Sequence, residues 1–257
     1  MRKILLAVFA LSVMSISNPA YSAGGGTLPP KELPWSFDGF FGTVDKQSAQ
    51  RGLQVYKEVC AACHSLKRVA FRDLEKIGFS ADEVKAIAAG YSVKDGPNDA
   101  GDMFERPGRP SDRFVPPFAN DKAAKAANGG ALPPDLSLIV KARPNGANYI
   151  YSLLTGYEDP PAEVHINEGL YYNPYFIAGN QVAMAPPLSD GGVSYIDGTE
   201  ATKDQMAKDV VNFLQWAAEP EMEQRKSMGA KVMLFLFLIA GLFIAANIRT
   251  WEKVKKG

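Results

Sequence analysis

Cys60-Ala61-Ala62-Cys63-His64 is the stretch from which the rest of the chain is read. Two thiols three residues apart, followed at once by an imidazole, are the groups a c-type haem requires. The sulfurs add across the porphyrin vinyl groups, and the imidazole ligates the iron. Cys60 and Cys63 are therefore the candidate attachment residues for one covalent haem c, and His64 is the candidate proximal ligand. C-x-x-C also serves thiol redox proteins and zinc sites. A closed zinc site needs four ligands, whereas the chain holds two cysteines and two histidines, with His165 about a hundred residues beyond His64. A thioredoxin-like pair has no use for the adjacent histidine.

An electron carrier needs both axial positions of its iron filled, so that charge changes with little ligand movement, and the choice of second ligand sets the potential. Downstream of the motif the candidates are Met103, Met184, Met206, Met222 and His165. Met206 falls on an apolar helix face and reads as core, Met222 follows a helix-ending proline, and Met103 lies in a charged loop between Asp102 and Glu105. Met184 sits in Gln181-Val182-Ala183-Met184-Ala185-Pro186-Pro187-Leu188, where prolines stiffen a non-helical backbone and alanines leave the sulfur open to approach. Met184 is the expected second metal ligand. His165, otherwise a surface histidine among acids, is the alternative.

Around these residues the helix signals are local. Asp45 caps a helix expected to run to residue 59 and deliver the motif at its end, with Leu53, Val55, Tyr56 and Val59 apolar and Gly52 open to close packing. Ser80 and Glu83 form a capping box for a helix stopped by Gly90. The prolines and glycines of 91–134 predict an insertion of loops. Asp135 predicts a helix over 136–143 ended by Pro144, and a second is expected over 147–154, ended by Gly156. Thr202 and Gln205 read as a second capping box, opening a helix whose Met206, Val210, Phe213, Leu214 and Ala217 share one face, expected to pack on the Gly52/Tyr56 helix. Trp35, Phe37, Phe40 and Phe41 cluster ahead of all this and read as core.

The ends of the chain speak to compartment. Met1-Arg2-Lys3, an apolar stretch over 4–14 and Ala20-Tyr21-Ser22 have the three parts of a secretory signal peptide, read as 1–22. Residues 232–248 carry no charge, and Lys231 precedes them while Arg249, Trp251, Lys253, Lys255 and Lys256 follow. At 1.5 Å per residue such a run reaches about 25 Å, enough for a transmembrane anchor over 231–249 with its snorkelling lysine and interfacial tryptophan. The basic tail, 250–257, agrees with the positive-inside tendency. A haem domain over 23–230 is thus expected in the periplasm, held to a bacterial inner membrane. With 46% hydrophobic and 22% charged residues the chain can build a core. Residues 23–230 hold 21 Lys and Arg against 27 Asp and Glu, a formal −6. Within this excess, 144–202 contains seven acids and neither Lys nor Arg. No basic patch suggests nucleic acid; an acidic face suits a basic protein partner.

Taken in order, Cys60-Ala61-Ala62-Cys63-His64-Ser65, Leu132-Pro133-Pro134-Asp135-Leu136-Ser137, the run NYIYSLLTGY from Asn148, Gly169-Leu170-Tyr171-Tyr172-Asn173-Pro174-Tyr175-Phe176, Met184-Ala185-Pro186-Pro187-Leu188 and Trp216-Ala217-Ala218-Glu219-Pro220-Glu221 resemble the cytochrome c1 family. The resemblance runs from about residue 33 to the C-terminus. It implies a mainly α protein with a class I cytochrome c-like core, long loop insertions and one C-terminal transmembrane helix. It further implies an electron-carrying subunit of the quinol–cytochrome c reductase, the cytochrome bc1 complex, beside cytochrome b and a Rieske iron–sulfur protein, dimeric when assembled. The chain would pass one electron from the Rieske protein to a soluble or anchored basic c-type cytochrome, and would itself make or break no substrate bond. A free-standing membrane-anchored shuttle is the alternative. The family pattern also places Arg143 near a haem propionate, where the plainer role is a helix-end cation. It places the Pro134 carbonyl where it could take the His64 Nδ1 proton. Some bacterial members hold the methionine loop with a disulfide. Here there are no cysteines for one, which leaves Pro186, Pro187 or packing to stiffen it.

Overall fold

The computed structural model describes residues 27–256; the expected signal peptide, 1–22, lies outside them. Helix α1, Lys46–Val55, begins where Asp45 accepts a hydrogen bond from the Ser48 amide at 3.1 Å. It does not run on as an α-helix to residue 59. From Tyr56 to Cys60 the backbone widens into a π-turn, closed by a bond from the Ala61 amide to the Tyr56 carbonyl at 2.7 Å. Such bulges recur at functional sites, and here tertiary contact accounts for it. Tyr56 is fully buried, edge-on to Phe114 and tilted against Phe213, and its hydroxyl donates to the His64 carbonyl at 3.2 Å.

The capping box at Ser80 and Glu83 forms as expected and starts helix α2, Ala81–Ala89, before Gly90. The insertion after it is not all loop. Strands β1, Ser92–Asp95, and β2, Phe104–Pro107, pair antiparallel with Ser92 opposite Pro107. Arg106 grips Asp112 through both oxygens, at 2.6 and 3.0 Å, which holds that carboxyl down at about 2 and ties the hairpin to the chain beyond it. Helix α3, Asp121–Ala127, follows. A 3₁₀ helix over Phe71–Ile77, with Phe71, Leu74 and Ile77 buried, was not signalled by periodicity.

The helix expected over 136–143 is reduced to a 3₁₀ turn, Leu136–Leu138, followed by turns. Asp135 still caps it, but as shown below the same carboxylate is engaged elsewhere. Helix α4, Gly146–Thr155, matches its expectation within a residue at each end. The lead segment lies along it: the Lys31 amide donates to Ser152 Oγ at 2.8 Å and the Trp35 indole to Asn148 Oδ1 at 2.7 Å. The aromatic cluster divides. Trp35 and Phe37 are buried in the core, whereas Phe40 and Phe41 are exposed. Strands β3, Tyr171–Tyr172, and β4, Gln181–Val182, form a second antiparallel pair with Tyr171 opposite Val182.

Helix α5, Lys203–Ala218, opens on Thr202 and crosses α1 at the centre of the core. Met206, Val210, Phe213 and Leu214 are buried against α1 and the Phe71–Phe114 aromatic group. Gln205 does not complete a capping box. Its amide nitrogen donates to Asp209 Oδ1 at 3.1 Å, where Ser48 Oγ also donates at 2.7 Å and Arg51 binds both carboxylate oxygens at 3.0 Å. A fully buried carboxylate is tolerated because both of its oxygens find donors, one of them the Arg51 guanidinium. After Pro220 the chain continues as helix α6, Met222–Lys256. Among the described residues none covers its apolar window, and its length and composition fit a transmembrane anchor. The fold is thus mainly α, with long inserted loops and one C-terminal apolar helix.

Candidate functional site

The Cys60–His64 motif occupies a tight turn just past the π-widened end of α1. The amides of Cys63 and His64 both bond to the Cys60 carbonyl, at 3.1 and 2.9 Å. Cys60 and Cys63 are free thiols, each partly covered. Burial pushes the Cys60 thiol up to about 12, with Cys63 adding to the shift, so it is protonated at neutral pH. A redox-exchange cysteine needs the opposite, a stabilised thiolate. Among the described residues no three His, Cys, Asp or Glu side chains converge on a common point.

His64 and Pro134 are brought together: imidazole Nδ1 lies 2.8 Å from the Pro134 carbonyl oxygen. A carbonyl can only accept, so Nδ1 carries the proton and Nε2 is left as the lone pair, the tautomer an iron ligand requires. Burial holds the imidazole pKa below its ordinary value, and the Pro134 contact only partly opposes this. The ring is accordingly neutral near pH 7.

What fixes the Pro134 carbonyl is a clamp that sequence reading missed. Asp135 Oδ2 accepts from Ser65 Oγ at 2.8 Å and from the Lys67 amide at 2.9 Å, while its Oδ1 accepts from the Ser137 amide at 2.9 Å. The Leu136 amide donates to the Ser65 carbonyl at 2.8 Å, and the Arg68 amide to Ser137 Oγ at 3.0 Å. Four of these bonds zip 134–137 to 65–68, so the carbonyl and the imidazole cannot drift apart independently. The Asp-Leu-Ser sequence signals a cap, and the carboxylate does cap. Nothing local says that its other oxygen reaches across to Ser65 and Lys67.

Met184 lies half-buried between β4 and the Pro186-Pro187 pair, with Leu188 buried behind it. Its carbonyl accepts from the Tyr157 hydroxyl at 2.9 Å. Tyr157 is a second positioning residue the sequence did not suggest; burial and the neighbouring Tyr149 and Tyr171 raise its pKa, keeping it a donor. The loop is thus tied by a side-chain hydrogen bond in addition to its prolines. His165, the alternative ligand, is exposed. Arg143 donates to its neighbour's carbonyl, Ala142 O, at 3.1 Å and enters no ion pair among the described residues. Neither Met184 nor Arg143 hydrogen-bonds to the His64–Pro134 pair among those residues. The seven acids of 144–202, namely Glu158, Asp159, Glu163, Glu168, Asp190, Asp197 and Glu200, are all exposed.

A family model described as the cytochrome C1 family matches residues 35–254. The chain is 50% identical over 264 residues to cytochrome c1 of Rhodospirillum rubrum, covering 96% of each. It is 56% identical over 229 residues to "Cytochrome c1 1, heme protein, mitochondrial" of Arabidopsis thaliana, covering 89% of this chain and 74% of that one. It is also similar to a Bradyrhizobium diazoefficiens protein called cytochrome b/c1, at 48% identity over 269 residues, 96% of this chain and 39% of that one.

Proposed function

The chain belongs to the cytochrome c1 family, and from that premise we propose that it is the haem-bearing subunit of a quinol–cytochrome c oxidoreductase. In this reading it accepts one electron from a Rieske iron–sulfur protein and passes it to a basic c-type cytochrome. One observation carries the reading: the His64 Nδ1 contact to a clamped Pro134 carbonyl, directly after two free thiols. Haem c, held by thioethers to Cys60 and Cys63, supplies a one-electron iron couple. The protein's part is binding and orientation. His64 presents a neutral nitrogen in a fixed tautomer. Met184, on a loop tied by Tyr157, would offer its thioether to the iron, and Arg143 would supply a cation for a haem carboxylate. The chain performs no bond-making step of its own; it is enzymatic as part of the complex.

Helix α6 anchors the assembly over 231–249. The haem domain, 23–230, then faces the periplasm of a bacterial inner membrane and the tail, 250–257, the cytoplasm. The Bradyrhizobium relative carries cytochrome b in its name, which supports a cytochrome b partner here. Purification from membranes in mild detergent tests the assignment. Cytochrome b and a Rieske protein should co-purify, with haem that stays on the chain through acid–acetone extraction. Recovery of the chain with its haem but neither partner would favour a free-standing anchored shuttle, and extractable haem would refute covalent attachment.

The exposed acids give a further expected outcome. Charges in water steer a basic partner over about a Debye length, roughly 10 Å at 0.1 M salt. Reduction of a basic cytochrome c by this protein should therefore slow as salt rises from 20 mM to 500 mM, by about tenfold or more for steered association. A rate independent of salt would remove these residues from docking.

A further inference from the structure

Phe40 and Phe41 are the two members of the aromatic cluster that the core does not absorb, 53% and 87% exposed, with their rings edge to face at 4.9 Å. Their loop is lashed to the start of α6. The Lys226 ammonium donates to the carbonyls of Phe37, Gly39 and Gly42 at 2.7, 2.7 and 3.0 Å, and the Val44 amide donates to Glu223 Oε1 at 3.0 Å. A cation wrapped by three carbonyls fixes the loop's height along the helix. That height is informative, because Phe40 and Phe41 wall a shallow pocket of about 340 Å³ together with Ser227, Ala230 and Lys231. The uncharged run of α6 begins one residue after Lys231. At 1.5 Å rise, the two rings stand within about one helical turn, some 5 Å, of the hydrocarbon boundary.

Membrane helices are flanked by aromatic side chains at both interfaces. Trp251 occupies the far end of α6, but residues 222–232 contain no aromatic at all. We propose that Phe40 and Phe41 supply the missing near-side belt: the loop is a membrane-seated wedge that enters the lipid interface beside α6 and sets the standing angle of the haem domain. This rests on reading α6 as the membrane anchor. A single helix fixes where a domain is tethered without fixing its tilt. A second contact, rigidly joined to the first through Lys226, removes that freedom.

Photo-crosslinking in native membranes tests it. In the full chain Phe41→p-benzoylphenylalanine is compared with the same replacement at Leu236, within the apolar run, and at Asp99, on the exposed hairpin turn. Phospholipid adducts are counted by mass spectrometry of the labelled peptides. The expected result is lipid adduct at 41 comparable to that at 236 and roughly tenfold above that at 99, as for a side chain at the interface. Capture of a protein chain at 41, or a yield no higher than at 99 while 236 takes lipid, would overturn the wedge and leave the anchor standing. Lipid adduct at neither 41 nor 236 would overturn both.

Discussion

Met184→Leu should lower the midpoint potential of the bound haem by more than about 100 mV and make the reduced protein bind carbon monoxide. A thioether stabilises ferrous over ferric iron, and its loss removes that preference. For a one-electron couple each tenfold change in relative stability is 59 mV, so a hundredfold loss is about 120 mV. Leucine is the informative replacement because it keeps the side-chain volume, and swaps of this kind usually cost under ~1.5 kcal/mol. The tether from Tyr157 survives as well, since it ends on the Met184 carbonyl and not on the side chain. A fall in potential can therefore be assigned to the lost sulfur and not to a collapsed loop. Spectroelectrochemical titration gives the potential, and the ferrous spectrum under carbon monoxide reports an opened coordination position. An unchanged potential with no carbon monoxide complex would move the ligand elsewhere, and His165 would be the next residue to test.

The two axial candidates show how far the sequence could be read. His64 follows from adjacency alone, because in Cys-x-x-Cys-His the chemistry is written in consecutive residues. Met184 was argued from its proline-stiffened, non-helical stretch and from the settings of its rivals; Met206 is wholly buried on α5 and Met103 exposed, as read, while Met222 proves to be buried. Helix starts were legible where one side chain satisfies a nearby amide, as at Asp45, Ser80 and Thr202. Elements set by distant contacts were not. The π-turn at Tyr56–Cys60 depends on Tyr56 being caught between Phe114 and Phe213. The turn at Leu136–Leu138 stands where a longer helix was expected, and Ser65 and Lys67, some seventy residues back, take up the second oxygen of the Asp135 carboxylate that caps it. A cap and a clamp use the two oxygens of one carboxylate, and only the fold reveals the second use. Phe40 and Phe41 misled for a related reason: aromatic density argues for burial against something, and the sequence does not say whether that is the chain's own core.

Gly52→Ala should unfold the haem domain about 10 °C or more below the parent, although alanine is the better helix former. A Cβ at 52 would lie 2.0 Å from the Asp209 carbonyl oxygen, 2.6 Å from its carbon and 2.7 Å from Phe213 Cβ. Two of these are backbone atoms of α5, so no rotamer change relieves the clash; α1 and α5 must move apart. The gain in helix propensity is about 1 kcal/mol. Overpacking a core commonly costs 1–3 kcal/mol and more when backbone has to shift. Here the cost should lie above that range, because the residue struck is also the one that joins the helices. Separation at Asp209 stretches its bonds to Ser48 and Arg51, and a buried carboxylate losing its donors is among the few mechanisms that exceed about 4 kcal/mol. In a domain of about 200 residues each kcal/mol moves the melting point by roughly 2–4 °C, which gives the expected shift. Gly229→Ala is the control, with nothing within 4 Å of its added carbon, and should leave domain melting unchanged. Thermal unfolding followed by circular dichroism checks both. Equal melting of Gly52→Ala and the parent would mean that α1 and α5 do not meet as closely as the fold requires. The placement of the motif at the end of α1 would then lose its support.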